Sequence, residues 1–162
     1  MKINVLKKMI EYFQTDVKRI NHSLKVFDFA QIISEDENIE EKNKKTIIYA
    51  SILHDIGIKE AEKKYNSSSG KYQEIEGPSI ASEILSNLKI DEEIIDRVCF
   101  IIGNHHSYTK IDGIDFQIVV EADFLVNIFE DNINKNAIEN INEHIFKTSS
   151  GKKLLKTMYL TK

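Results

Sequence analysis

Residues 46–56 read Thr-Ile-Ile-Tyr-Ala-Ser-Ile-Leu-His-Asp-Ile and then meet Gly57, a run apolar on every side of a helix until a histidine and an aspartate close it. A helix without a polar face must be enclosed by others, so this segment predicts the central helix of a bundle. Its ending is costly. Burial strips water from Asp55, and the helix C-terminus already carries partial negative charge. No lysine or arginine is adjacent, whereas a divalent cation would answer the charge and use the neighbouring His54 imidazole as well.

The rest of the chain supplies the enclosing helices. One proline and six glycines in 162 residues, with apolar residues at helical spacing, predict an all-α protein that needs no sheet. This length suits a single domain over residues 1–162, and neither linker nor internal repeat divides it. Residues 1–14 form one helix, with Ile3, Leu6, Ile10 and Phe13 on one face. A second runs from Thr15 into the mid-thirties, with Val17, Ile20, Leu24 and Phe27 on one stripe and Val26, Phe29 and Ile33 on another. Asn38 and Glu41 form a capping pair for the central helix. The polar residues 59–77 are expected to be the longest loop, with Pro78 opening a helix at its first position. Asp91-Glu-Glu93 starts a helix to Gly103, the Asp112-Gly113 turn precedes another from about Asp115 to Asp131, and outer helices follow Asn134.

Composition narrows the function. The charge of 22 − 26 = −4 offers no footprint for nucleic acid or an anionic membrane, and 41% apolar with 30% charged residues excludes general disorder. No stretch is apolar for long enough to span a bilayer, and the lone Cys99 in an apolar run fits a reducing compartment; a soluble, cytoplasmic protein is expected.

Other helices aim ligand-type side chains at the same interior. Asp123 lies seven residues after Phe116, close to the same face of its helix. Ile94, Val98, Ile101 and His105 share a stripe, which turns His105 inward in preference to His106. His22 shares a stripe with Val26, Phe29 and Ile33. A single histidine on an apolar face is usually a hydrogen-bonded core residue. Inward histidines on three helices and inward aspartates on two are hard to satisfy without a cation, and imidazole with carboxylate suits zinc, manganese, iron or nickel. His144 has no such company and is assigned to the surface or core.

The residues resemble the HD-domain phosphohydrolases, whose pattern is an early histidine, a His-Asp pair ending a buried helix, and a later aspartate. Here these match His22, His54-Asp55 and Asp123. Leu53-His-Asp-Ile-Gly57, Gly77-Pro-Ser-Ile-Ala-Ser-Glu-Ile-Leu85, Asn104-His-His106 and Glu121-Ala-Asp-Phe-Leu125 follow the family's order across about residues 15–130, leaving residues 131–162 as C-terminal helices. The resemblance implies an HD-domain-like bundle with a metal site between its central helices. His22, His54, Asp55 and Asp123 would hold one divalent ion (Mn, Fe, Ni, Co or Zn), with Asp55 able to bridge to a second. Relatives with two metals add histidines just before the helix assigned to Pro78 and in the turn matching His105-His106. Tyr72-Gln-Glu-Ile-Glu-Gly77 has no histidine, so a second ion would need Glu74 or Glu76 as a substitute.

The implied activity is metal-dependent hydrolysis of a phosphate ester or anhydride of a small metabolite or nucleotide, with Asp55 bridging metal and orienting water. Arg19, one turn before His22, and Lys59, just after the His-Asp turn, are candidate phosphate contacts, as is Lys71 in Ser67-Ser-Ser-Gly-Lys-Tyr72, whose glycine spacing is not that of a P-loop. Tyr108 and Lys110 could border the pocket. The partner expected is a small phosphorylated substrate, with no nucleic-acid polymer and no membrane. Two alternatives are a di-iron oxygenase of similar fold and a noncatalytic metal- or nucleotide-binding module.

Overall fold

The computed structural model describes residues 1–161; Lys162, the last residue of the expected domain, lies outside them. The described residues contain helices and no strands: α1 (Lys2–Phe13), α2 (Val17–Asp36), α3 (Glu41–Leu53), α4 (Ile58–Tyr65), α5 (Gly70–Asn87), α6 (Glu92–Ile102), α7 (Ile114–Glu130), α8 (Lys135–His144) and α9 (Ser149–Leu155). Helix α3 is buried along its whole second half, from Thr46 to Leu53, because α1, α2, α6 and α7 surround it. Helix α7 is nearly as enclosed, between α2, α3 and α9. Helices α4 and α5 pack on each other, and α5 lies against α6. Among the described residues no helix is long and apolar enough to cross a membrane.

Helix ends explain where the sequence misleads. Gln14, Asn38, Asn66, Lys89 and Asn132 adopt positive φ within two residues of a helix end, while none of the described glycines does. The positive-φ residue that follows a helix is thus supplied here by asparagine, glutamine or lysine. Asn38 closes α2 at φ 53° and is not the cap of α3, which follows an extended Glu40 that makes no side-chain cap. Helix α3 stops at Leu53, and His54 to Gly57 form the turn into α4.

The expected loop over residues 59–77 is mostly helix, with only 66–69 irregular. Helix α4 buries Ala61 alone, so lysine and glutamate, both good helix formers, fill its remaining face and hide its periodicity. Helix α5 turns Gln73, Glu76 and Gly77 inward, polar or small residues that carry no apolar signature. Pro78 does not start this helix but lies inside it, tolerated at the loss of one intrahelical hydrogen bond.

Gly57 serves close approach. A Cβ there would lie 2.5 Å from the Gln73 carbonyl oxygen and 2.6 Å from the Gly77 nitrogen, both rigid backbone atoms. Gly57→Ala should therefore force the His-Asp turn away from α5 and cost about 1–3 kcal/mol, the usual penalty of overpacking. Thermal or urea unfolding checks it, and an unchanged midpoint would contradict this packing.

Candidate metal centre

Four elements deliver the cluster. Helix α2 contributes His22; the turn closing α3 contributes His54 and Asp55; the turn after α6 contributes His105 and His106; and α7 contributes Asp123. His22, His54 and His105 are buried, and His54 is completely so. His22 Nε2 lies 3.1 Å from His54 Nε2 and 3.1 Å from Asp123 Oδ1. Asp55 Oδ2 is 3.5 Å from both His22 Nε2 and His54 Nε2, and its other oxygen is 3.4 Å from His105 Nε2. One carboxylate therefore faces two donor groups: His22, His54 and Asp123 on one side, His105 and His106 on the other.

The imidazoles are held by their far nitrogens. His54 Nδ1 lies 2.8 Å from the Ser51 carbonyl oxygen, and His105 Nδ1 lies 2.8 Å from that of Ile102. A carbonyl only accepts, so each Nδ1 carries the hydrogen and each Nε2 turns to the cluster with its lone pair. His22 repeats the arrangement, with Nδ1 donating to Glu130 Oε2 at 2.9 Å. Asn127 Nδ2 donates to Asp123 Oδ1 at 2.8 Å.

These residues fit a divalent ion. Donor separations of 3.1–3.5 Å match those around an ion with ligands at about 2.0–2.2 Å. His105 Nε2 is buried with no hydrogen-bond partner. Among the described residues, neither Asp55 nor Asp123 has a lysine or arginine within ion-pair reach; their ion-pair partners are histidines. Mixed imidazole and carboxylate donors suit manganese, iron, cobalt, nickel or zinc.

Without a metal, protons take its place. Burial favours the neutral imidazole at His22, but hydrogen bonds to Asp123 and Glu130 and the Asp55 charge outweigh it and lift its pKa to about 9. Burial opposes the charged form of His54 too, yet Asp55 and Asp123 carry its pKa upward. Asp123 is held well below the usual carboxylate range, burial being overcome by hydrogen bonds from His22 and His54. His106 moves the other way, to about 4, through burial and the neighbouring His105, so it stays neutral near pH 7.

The HD domain family matches residues 19–149. The chain belongs to this family. The crystal structure of a predicted HD superfamily hydrolase from an uncultured Thermotogales bacterium shares the fold of this HD domain, with TM-score 0.70 and 23% identity over 96% of this chain and 83% of that one. No curated protein matches the chain.

Several residues expected at the centre of this HD domain are engaged elsewhere. Glu74 accepts from the His106 backbone N–H at 3.0 Å and from the Ser107 hydroxyl, so it braces the turn from behind. Glu76 accepts from Lys64 and from the Tyr65 hydroxyl. Neither joins the donor groups, and from the same helix the Oε1 of Gln73 lies 3.4 Å from His106 Nε2. Lys59 donates to the Tyr12 carbonyl at 2.9 Å, and Lys71 lies over the Tyr72 ring. Arg19 is at the cleft beside His22, but its guanidinium is paired with Asp16 and Glu62. Asn127 and Glu130 are not among the residues expected at the centre, although they follow Asp123 at i+4 and i+7 and so share its helix face.

Proposed function

We propose that the protein is a metal-dependent phosphohydrolase acting on a small phosphorylated compound in the cytoplasm. The observation that carries this reading is the Asp55 carboxylate, which faces both donor groups and borders a cleft of about 260 Å³. A divalent ion bound there supplies Lewis acidity, bringing the pKa of water toward neutrality and stabilising charge on phosphoryl oxygens. His22, His54, Asp55 and Asp123 would hold it, and Asp55, His105 and His106 could hold a second. Lys18 and Arg19 line the cleft beside Asp16, Glu130 and Asp131 and offer cations to an approaching phosphate, Arg19 after exchanging an acidic partner for it. Ser68 and Asn127 on the same walls offer hydrogen bonds. The cleft's size favours a small molecule over a polymer, and the free Cys99 suits a reducing cytoplasm.

The test is a screen of phosphate monoesters, nucleotides and cyclic nucleotides with manganese, nickel, cobalt or zinc, using Asp55→Ala as control. Metal-dependent phosphate release by the parent alone is expected. Activity surviving in the variant, or substrate-dependent oxygen uptake by iron-loaded protein without hydrolysis, would overturn the proposal.

Metal affinity should depend on pH in a defined direction. His22 is protonated below about 9, so at neutral pH an incoming ion must displace that proton. Affinity should rise about tenfold per pH unit for each displaced proton and level off above that pKa. In the metal-free protein the same pairing stabilises the fold below 6.5 and is lost as pH rises through about 9. Calorimetry in buffers of different ionisation enthalpy counts the protons released; an affinity flat from pH 7 to about 9 would contradict this.

A further inference from the structure

Two of the three buried imidazoles are oriented by backbone carbonyls, and the third by a side chain. His22 Nδ1 meets Glu130, the last residue of α7, whose Oε2 is 2.9 Å away while Oε1 accepts from Lys25 Nζ at 3.1 Å. Glu130 is mostly buried and belongs to the stripe that begins with Asp123 and includes Asn127. Consecutive turns of one helix thus present a ligand-type carboxylate, the amide that orients it, and a carboxylate reaching across to an imidazole of α2.

We infer that Glu130 is a positioning residue for the metal centre, fixing the His22 ring with its hydrogen on Nδ1 and its Nε2 lone pair facing the neighbouring donors. This rests on the metal-site reading above. A carbonyl could fix the tautomer equally well; a carboxylate also places negative charge behind the ring, making Nε2 a stronger donor to a cation. Nothing else among the described hydrogen bonds holds His22 Nδ1, so without Glu130 the ring can turn or exchange tautomers. The exposed Lys25 neutralises the outer oxygen and is not itself required at the ring.

The experiment compares parent, Glu130→Ala, Glu130→Gln, Lys25→Ala and His22→Ala for affinity toward manganese and zinc in chelator-buffered titrations, with nitrogen NMR of the labelled imidazoles. Glu130→Ala should weaken binding about ten- to hundredfold, as for other outer partners of ligating histidines. Glu130→Gln, whose amide oxygen can still accept, should lose less, and Lys25→Ala should change affinity less than threefold. In metal-free protein above about pH 9, where the neutral ring prevails, the His22 resonances should report one tautomer in the parent and a mixture in Glu130→Ala, a change that general loosening of the fold would not confine to this ring. If His22→Ala loses metal while Glu130→Ala keeps the parent affinity and tautomer, the inference falls and the site reading stands. If His22→Ala itself binds metal like the parent, the site reading falls. Should Glu130→Ala fail to fold, the Gln variant decides by the same two readouts.

Discussion

Asp55→Ala is expected to lose metal and to reduce hydrolysis more than about a hundredfold, beyond what removal of an outer partner costs. Burial alone would favour a protonated Asp55, but the neighbouring His54 charge, with the His105 imidazole beside the other oxygen, outweighs it and keeps the group ionised throughout the neutral range. Removing it takes away the single group that stands beside both donor sets and leaves the His22 and His54 nitrogens facing each other with Asp123 alone. The stabilising share of a depressed carboxylate is present at neutral pH and lost as acid protonates it. The metal-free variant should therefore melt below the metal-free parent near pH 7, with the gap closing in acid. Metal at a hundred times its dissociation constant should add about 2.7 kcal/mol to the parent and nothing to the variant. Thermal scans with and without metal, beside activity assays, read both effects; a parent-like metal shift in the variant would remove Asp55 from the centre.

Glu121→Ala should be the most destabilising change remote from the cleft. Glu121 is completely buried in α7, and its carboxylate accepts from the Gln117 amide, from the backbone N–H groups of Lys147 and Thr148, and from the Thr148 hydroxyl. Thr148 in turn caps α9 by accepting from the Gly151 N–H at 2.9 Å. A Cβ on Gly151 would collide with Glu121 Oε2, so glycine is required for this approach. Each hydrogen bond to a buried charge contributes about 1.5–3 kcal/mol, and several donors would lose their acceptor together, so the loss should be about 3–5 kcal/mol. Glu121→Gln keeps the shape and one accepting oxygen and should lose roughly half as much. Urea unfolding measures the change, and hydrogen exchange at Gly151 and Lys152 should show α9 opening first. An Ala variant as stable as the parent would mean that the donors find other partners.

The sequence is most legible where apolar stripes carry chemistry. His54 and His105 follow hydrophobic residues at helical spacing, His22 precedes them on its stripe, and the structure buries all three. Asp55 is legible through its cost, an acid closing an apolar helix with no cation beside it. The second group is harder to read because it is assembled across turns: His106 meets Gln73, while Glu74 and Glu76, two residues apart, point to different neighbours. The helical start of α5 is illegible because its inward face carries glutamine, glutamate and glycine, and Pro78 in mid-helix imitates a beginning. Glu130 is hidden by distance, its partner lying 108 residues earlier.

Helix α7 links two tasks that could have been separate. Glu121 seats the tail through the cap of α9, while two residues later Asp123 enters the cluster. A rigid rod cannot shift at one of these points and stay still at the other. Any coupling between a metal bound at the cluster and the seating of α9 would run along this one helix, and by thermodynamic reciprocity it would act with the same factor in both directions.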